Sequence, residues 1–416
     1  MAEKRSEIKY RFARELIEWV RTGRFPASAN QDVCYSLELQ KARLDEHGLQ
    51  MDYELEPPKD GKEFITYSNY ESASRRSKKY ECFIDRRSYY KTLRFYRNGK
   101  KIFSKRRAEV LFATNTWLKE GEITGEETYC CPACGAISTI KELQEGCPYC
   151  GAHFKMSDLF PKVTGYFFVH EILKSIDVKK SMLGMAAIAG TIGGLLHMLA
   201  NLTKGLAAML TGLISGIVAG VVMGYVIWAT SIVVMTLGAA VVSMSTSIEQ
   251  KDTKRKIIAI LNGFDPSFSY EYFVSQIVAT LKIILFSKDR KNLVVYEGMD
   301  PHPEFDNIVE ATFNGKFLLN YSTVKNGYCT MSLNVHMGDV YDNGNRLSLK
   351  KDVFCITIVK NVMKQEDLGF SIKKVQCGCC AGSFDATKER YCPYCRAPYD
   401  MKQDGWVVVD IRKVGK

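Results

Sequence analysis

The sequence predicts an α+β multidomain membrane protein, and three observations carry that expectation. From Ser181 to Ile248 the 416-residue chain holds a single Lys, Arg, Asp or Glu, Lys204. Eight of its fourteen cysteines form two Cys-x-x-Cys…Cys-x-x-Cys quartets, one on each side of that stretch. Beyond it, an amphipathic helical pattern gives way to segments that alternate apolar and polar residues. A bilayer core needs about 20 apolar residues per helix, so the central stretch is too long for one span and long enough for two. The chain has room for two or three further units.

The apolar stretch has an internal pattern. Gly212, Gly216, Gly220 and Gly224 recur every fourth residue, with Ala208 extending the series. At helical pitch this is one glycine face that lets another helix backbone approach closely, within the chain or in an oligomer. Gly205–Gly224 and Tyr225–Ser247, the latter with Trp228 and an Ile/Val run, read as a helical hairpin. Leu183–Thr203, interrupted by His197 and Asn201, reads as an interfacial segment or a third span. Lys179 and Lys180 precede the stretch, and Lys251, Lys254, Arg255 and Lys256 follow it. The positive-inside rule places both ends in the cytoplasm, which requires an even number of spans in the cell membrane.

At the amino terminus, Ile8, Phe12, Leu16, Trp19 and Val20 share one helical face, and Gly23 and Pro26 end the helix. This charged, helical opening does not read as a cleavable signal. Pro57-Pro58 breaks the chain, and Phe64-Ile65-Thr66-Tyr67 reads as a strand. Asn98-Gly99 is a hairpin turn, and Val110–Leu118 reads as a helix ending near Gly121. Residues 1–128 are expected to form a basic α+β domain. Fourteen Lys or Arg lie between Arg75 and Arg107 against two acids, Glu81 and Asp85, so this strip carries essentially all of the +11 net charge. Tyr80, Phe83, Tyr89, Tyr90, Phe95, Tyr96 and Phe103 are interleaved. Basic plus aromatic suits RNA or an anionic lipid surface; the plainer reading is a strand whose aromatics point inward.

The first quartet is Cys131, Cys134, Cys147 and Cys150, within a ribbon at 129–156. Two sulfurs from one tight turn reach one ion, Gly135 and Gly151 permit the turns, and four thiolates favour tetrahedral Zn²⁺ with no position left for a substrate. Cys130 and His153 are competing but less suitable ligands. The second quartet is Cys377, Cys380, Cys392 and Cys395, at 371–400, with Cys379 as a spare thiol. Two structural zinc ions are expected. Thiolates of this kind are best kept reduced, so both ribbons are placed in the cytosol. Residues 157–180 read as a linker between the first ribbon and the membrane segment at 181–248.

Between the membrane segment and the second ribbon, Ser269 is positioned to cap a helix with Glu271 in its first turn. Phe273, Ile277, Leu281 and Leu285 run down one face of it. Phe317–Val324 and Tyr328–Met337 read as strands joined through Asn326-Gly327; in the second, Cys329, Met331, Leu333, Val335 and Met337 form one face. Asn343-Gly344 marks another turn and Val353–Val359 another strand. After the second ribbon, residues 401–416 carry a Val-rich strand, Trp406–Ile411, that completes or covers the sheet.

The opening Asp265-Pro266-x-Phe268-Ser269-x-x-x-Phe273, the amphipathic helix and the antiparallel strands resemble the Tim-forty-four-like domain, over about residues 260–365 within a domain drawn at 257–370. That family is named for a mitochondrial inner-membrane import subunit, and its domain also occurs in bacterial membrane proteins. The order ribbon, membrane segment, this domain and second ribbon resembles such bacterial proteins. The resemblance implies a cystatin-like or nuclear-transport-factor-two-like fold, a helix on a curved antiparallel sheet with an apolar pocket. It also implies membrane-surface attachment and partner docking rather than catalysis. The mitochondrial protein lacks the amino-terminal domain and ribbon, so an import role does not carry over.

No phosphate loop or nucleophile elbow is present, and His170-Glu171 lacks the second histidine of a metalloprotease helix. His47, His302 and His336 have no partner at a recognisable spacing. The expectation is a non-enzymatic, membrane-anchored scaffold or adaptor that binds a protein partner or anionic lipid. The alternatives are a membrane tether for RNA or the ribosome through residues 75–107, and a component of a transport or channel assembly with His197 its only ionisable intramembrane residue.

Overall fold

The computed structural model describes residues 2–59, 61, 63–64, 70, 72–77, 79–119, 124–171, 178–299 and 303–414. The expected strand at 64–67 and His302 lie largely or wholly outside these. In chain order the elements are α1 (Ala2–Thr22), α2 (Gln31–Glu46), β1 (Gln50–Glu56), β2 (Ala73–Arg76), β3 (Tyr80–Arg97) and β4 (Lys100–Leu118). The first ribbon contributes β5 (Thr128–Cys130), β6 (Ile137–Thr139) and α3 (Ile140–Glu145). After it come α4 (Met156–Leu159), β7 (Lys162–His170), α5 (Val178–Ala200), α6 (Leu206–Leu261) and α7 (Tyr270–Phe286). The remainder is β8 (Ile308–Lys325), β9 (Tyr328–Asp342), β10 (Leu347–Asn361), β11 (Val375–Gln376), β12 (Ser383–Phe384) and β13 (Val407–Lys413).

The chain divides into two compact units, one of Met1–Glu171 with Glu249–Lys416, the other of Ile172–Ile248. The segments on either side of the apolar stretch, read in sequence as separate modules, therefore fold into a single unit. Its first sheet runs β1-β3-β4-β7, with β2 also paired to β3, and its second runs β13-β10-β9-β8. The first sheet is covered on both faces. On one, Phe12, Leu16 and Trp19 of α1 and Val33 and Leu37 of α2 pack on Tyr89, Phe95, Leu111 and Phe168. On the other, Ile84, Val110, Phe112 and Phe167 meet Phe273, Ile277 and Leu281 of α7 and Phe313 of β8.

Two expectations change here. Val110–Leu118 is part of β4, not a helix. It pairs with β3 on one side and β7 on the other, and Leu111 and Phe112 are both buried, on opposite faces. A strand buried on both faces reads as an unbroken apolar run, which periodicity cannot tell from a helix. Residues 157–180 are not a bare linker, because Lys162–His170 is the edge strand β7.

Other local signals hold. Asn98 and Gly99 adopt φ of 51° and 72° in the β3–β4 turn, and Asn326 and Gly327 adopt 52° and 81° between β8 and β9. Ser269 caps α7 by accepting the Tyr272 N–H. Cys329, Met331, Leu333, Val335 and Met337 are all fully buried, and β13 pairs antiparallel with β10 to complete the sheet.

The second unit holds α5 and the first part of α6, joined by a turn at residues 201–205. The hairpin therefore turns at Asn201–Gly205, not at the expected boundary between Gly224 and Tyr225, which lies inside α6. Gly205, at φ 92°, supplies the turn and follows the polar trio Asn201, Thr203 and Lys204. Two segments, Met182–Ala200 and Leu206–Val234, are long and apolar enough to cross a membrane. Their apolar side chains face outward: Leu196 is 60 % exposed, Leu206 76 % and Val234 69 %. The glycine face meets α5 of the same chain. A Cβ on Gly216 or Gly220 would strike the carbonyl oxygen of Gly193 or Ala189, and one on Gly224 would lie 2.9 Å from that of Met185.

Candidate metal centres

Each quartet is built from two copies of one tight turn. In the first ribbon the N–H groups of Gly135 and Gly151 donate to the carbonyls of Cys131 and Cys147, both at 2.8 Å. In the second, Ala381 and Arg396 donate to Cys377 and Cys392, both at 2.9 Å. Each turn is closed from the other side, as the N–H of its first cysteine donates to residue 136, 152, 382 or 397. The residue after each pair lies in the left-handed region: Gly135 at 74°, Gly151 at 72°, Ala381 at 57° and Arg396 at 61°. The first ribbon uses glycine there. The second places a side chain in strained backbone at both turns.

The four sulfurs of each quartet lie within 4.8 Å of one another. Cys131–Cys150 and Cys134–Cys147 are separated by 3.7 and 3.8 Å, Cys377–Cys395 and Cys380–Cys392 by 3.5 and 3.6 Å. A tetrahedral ion with bonds to sulfur of about 2.3 Å sets its ligands about 3.8 Å apart, so both sites fit a thiophilic ion. The first cysteine of each pair is buried and the second exposed. Cys131, Cys147, Cys377 and Cys392 belong to the main hydrophobic core, which anchors each site to the sheets. Backbone N–H groups of Cys380 and Cys379 point at the Cys377 sulfur and draw its thiol down to about 6. Burial pushes Cys147 up, but the N–H groups of Tyr149 and Cys150 outweigh it and also bring it to about 6. Their neighbours Cys131, Cys150, Cys380 and Cys395 are moved up instead, so one thiol of each quartet is the readiest to lose its proton. Cys130 and His153 are outside the first cluster and Cys379 is outside the second. All fourteen cysteines are free of disulfides.

Contacts that tie the second ribbon region to β5 and to α2 were not legible in the sequence. Lys374, just before β11, donates to the Thr128 carbonyl in β5. Asp32, in the first turn of α2, accepts from the Ser371 hydroxyl at 2.6 Å. Burial drives the Asp32 carboxyl up to about 6 despite that bond. Isolated lysines and aspartates carry no sequence signal for such contacts.

The basic strip resolves into β2, β3 and β4. Its aromatic residues are buried or half-buried. Most of its cations face acids: Arg76 with Glu81, Lys79 with Glu127, Arg87 with Glu63, Arg94 with Asp52 and Glu54, Arg97 with Asp342, and Arg106 with Glu56. Arg75 and Lys91 are buried. Lys91 lies 3.5 Å from Glu109 and 3.6 Å from Glu310, between the rings of Tyr53 and Phe168. His47 Nδ1 contacts Asp342 at 2.9 Å. His170 ends β7, and burial holds it down to about 4 with help from Arg107, Lys351 and Lys105.

The described residues thus define a chain with two tetrathiolate metal centres and two membrane-length helices. Comparison with family models, curated proteins and solved structures finds no match to this chain.

Proposed function

We propose that this chain is a membrane-anchored scaffold whose folded unit is stiffened by two structural zinc ions and docks a protein partner at the membrane surface. The observation that carries it is the pairing of two closed four-cysteine sites, which leave no coordination position for chemistry, with an apolar hairpin inserted into the same chain. Four thiolates in tetrahedral array favour zinc over harder ions. The likeness of residues 260–365 to the Tim-forty-four-like domain, helix then antiparallel sheet, adds membrane-surface docking to this reading. Basic residues at both ends of the apolar segment favour two spans of a cell membrane with both ribbons in the cytoplasm. Anionic lipid is a further partner in this reading, and no catalytic role is proposed. The RNA tether is disfavoured because most strip cations are engaged by acids and its aromatics are not splayed outward for stacking.

The test is capture of the tagged full-length chain from detergent-solubilised membranes, with and without ribonuclease. The full chain is needed because its two halves share one core. A ribonuclease-resistant protein partner recovered without RNA supports the scaffold. Ribosomal RNA that disappears on ribonuclease treatment replaces it with the tether, and recovery of neither rejects both.

A further inference from the structure

Three of the cations outside the paired majority come together near His170. Lys105 and Arg107 are two residues apart on β4 and share a face, and both line a small open cleft between the two sheets. The opposite wall is β8 and β9, where Thr312 pairs with Gly338. Gly338 pairs on its other side with Lys351 of β10, so Lys351 extends the same cross-strand row. A Cβ at Gly338 would press on Asn314 Oδ1 at 3.0 Å and lie in ordinary contact with Arg107 Nη1 at 3.6 Å.

Among the described residues, the side chains of Lys105, Arg107 and Lys351 form no hydrogen bond and no ion pair within 4.0 Å. The Nε of Arg107 is buried without a partner. A desolvated guanidinium donor left unpaired is costly. Of the acids at the floor of the cleft, Glu109 attracts Arg107 from beyond ion-pair distance. Glu310 is held by Lys91, Tyr53 and Gln40, and Glu109 faces Lys91. The other walls include Leu93, Phe103, Val340 and Leu349. Arginine's planar fork matches the geometry of tetrahedral oxyanions, and flanking lysines add charge without directional demand.

We propose that this cleft binds a phosphate-class oxyanion, with Arg107 as its main ligand and Lys105 and Lys351 closing on it from the two sheets. The anion is either inorganic phosphate or a phosphate monoester whose apolar stem lies against Leu93 and Phe103, such as a lipid headgroup. Bound there, it ties β4 of the first sheet to the paired strands β9 and β10 of the second.

The test is calorimetric titration of the detergent-solubilised full chain, first with inorganic phosphate and then with dihexanoyl phosphatidic acid. Saturable phosphate binding that weakens at least ten-fold in Arg107→Gln and in Lys351→Gln, with partial recovery in Arg107→Lys, is the expected result. Tighter binding of the phosphatidic acid identifies the headgroup as the source, and equal or weaker binding identifies free phosphate. Lys351 is exposed, so its variant stays folded and decides the matter if Arg107→Gln does not fold. Binding of neither compound, or unchanged binding in Lys351→Gln, overturns the site.

Discussion

Arg75 Nη1 lies 2.5 Å from a carboxylate oxygen of Glu366, although the two residues are 291 positions apart and the whole apolar hairpin intervenes. The same guanidinium reaches Asp265, Lys360 approaches Glu366 at 3.3 Å, and Gln276 donates to it at 2.5 Å. Arg75 is 5 % exposed, so this cluster joins β2 to the carboxy-terminal segment in a nearly dry environment.

Burial alone would push the Glu366 carboxyl up, but Lys360 and Arg75 hold it down at about 2. Its folded value is below the ordinary one. Its contribution is therefore complete above about pH 4.5 and is lost as pH falls toward 2. That shift corresponds to about 3 kcal/mol. Denaturant midpoints of the wild type should fall between pH 5 and pH 3 more than those of Glu366→Gln. Arg75→Ala, which leaves Asp265 without its cation and Glu366 with Lys360 alone, should cost about 3 kcal/mol at pH 7. Equal acid sensitivity in wild type and Glu366→Gln would show that the pair does not contribute.

The two ribbons should differ in how readily they release metal. Elemental analysis should find two ions per chain, and Cys392→Ser should leave one. Ala381 and Arg396 hold left-handed backbone that costs a side-chain-bearing residue about 1 kcal/mol. Ala381→Gly and Arg396→Gly relieve that strain at a smaller cost in unfolded-chain entropy, so each should raise the chelator concentration that strips the second site. Gly151→Ala meets open space but takes on the strain, and should lower it for the first. A second site unchanged by both glycine variants would mean its turns are not strained.

The helical hairpin depends on close approach of its backbones. Gly216→Leu drives a side chain into the Gly193 carbonyl and should separate α5 from α6, lowering thermal stability in detergent. Gly184→Leu, on α5 with open space around it, should leave stability within about 0.5 kcal/mol. Equal effects of the two would argue that the glycine face is not a packing surface.

Local chemistry was legible wherever it was written within a few residues. The Asn-Gly turns, the Ser269 cap and the alternation of Cys329 to Met337 each depend on neighbours in sequence, and each forms as those neighbours indicate. The eight metal-ligand positions were legible for the same reason, since two cysteines in one turn must share an ion. Val110–Leu118 resembles a helix in sequence because both faces of β4 are covered, which erases the period that marks a strand. The hairpin turn is hidden because Gly224 belongs to the packing face of α6, while Gly205, after the polar trio, makes the turn.

The sequence by itself determined the apolar segment, its glycine face, the two cysteine quartets and the order of helix and strands after the membrane segment. Only the tertiary structure decided that both flanks of the apolar segment share one folded unit. It also decided which cations of the basic strip meet acids and which are left to face a cleft. Periodicity and turn chemistry act over one turn or one strand, so they are present in the sequence. A charge has no period, and its partner is chosen by which strands the sheets bring together, as Arg75 and Glu366 show.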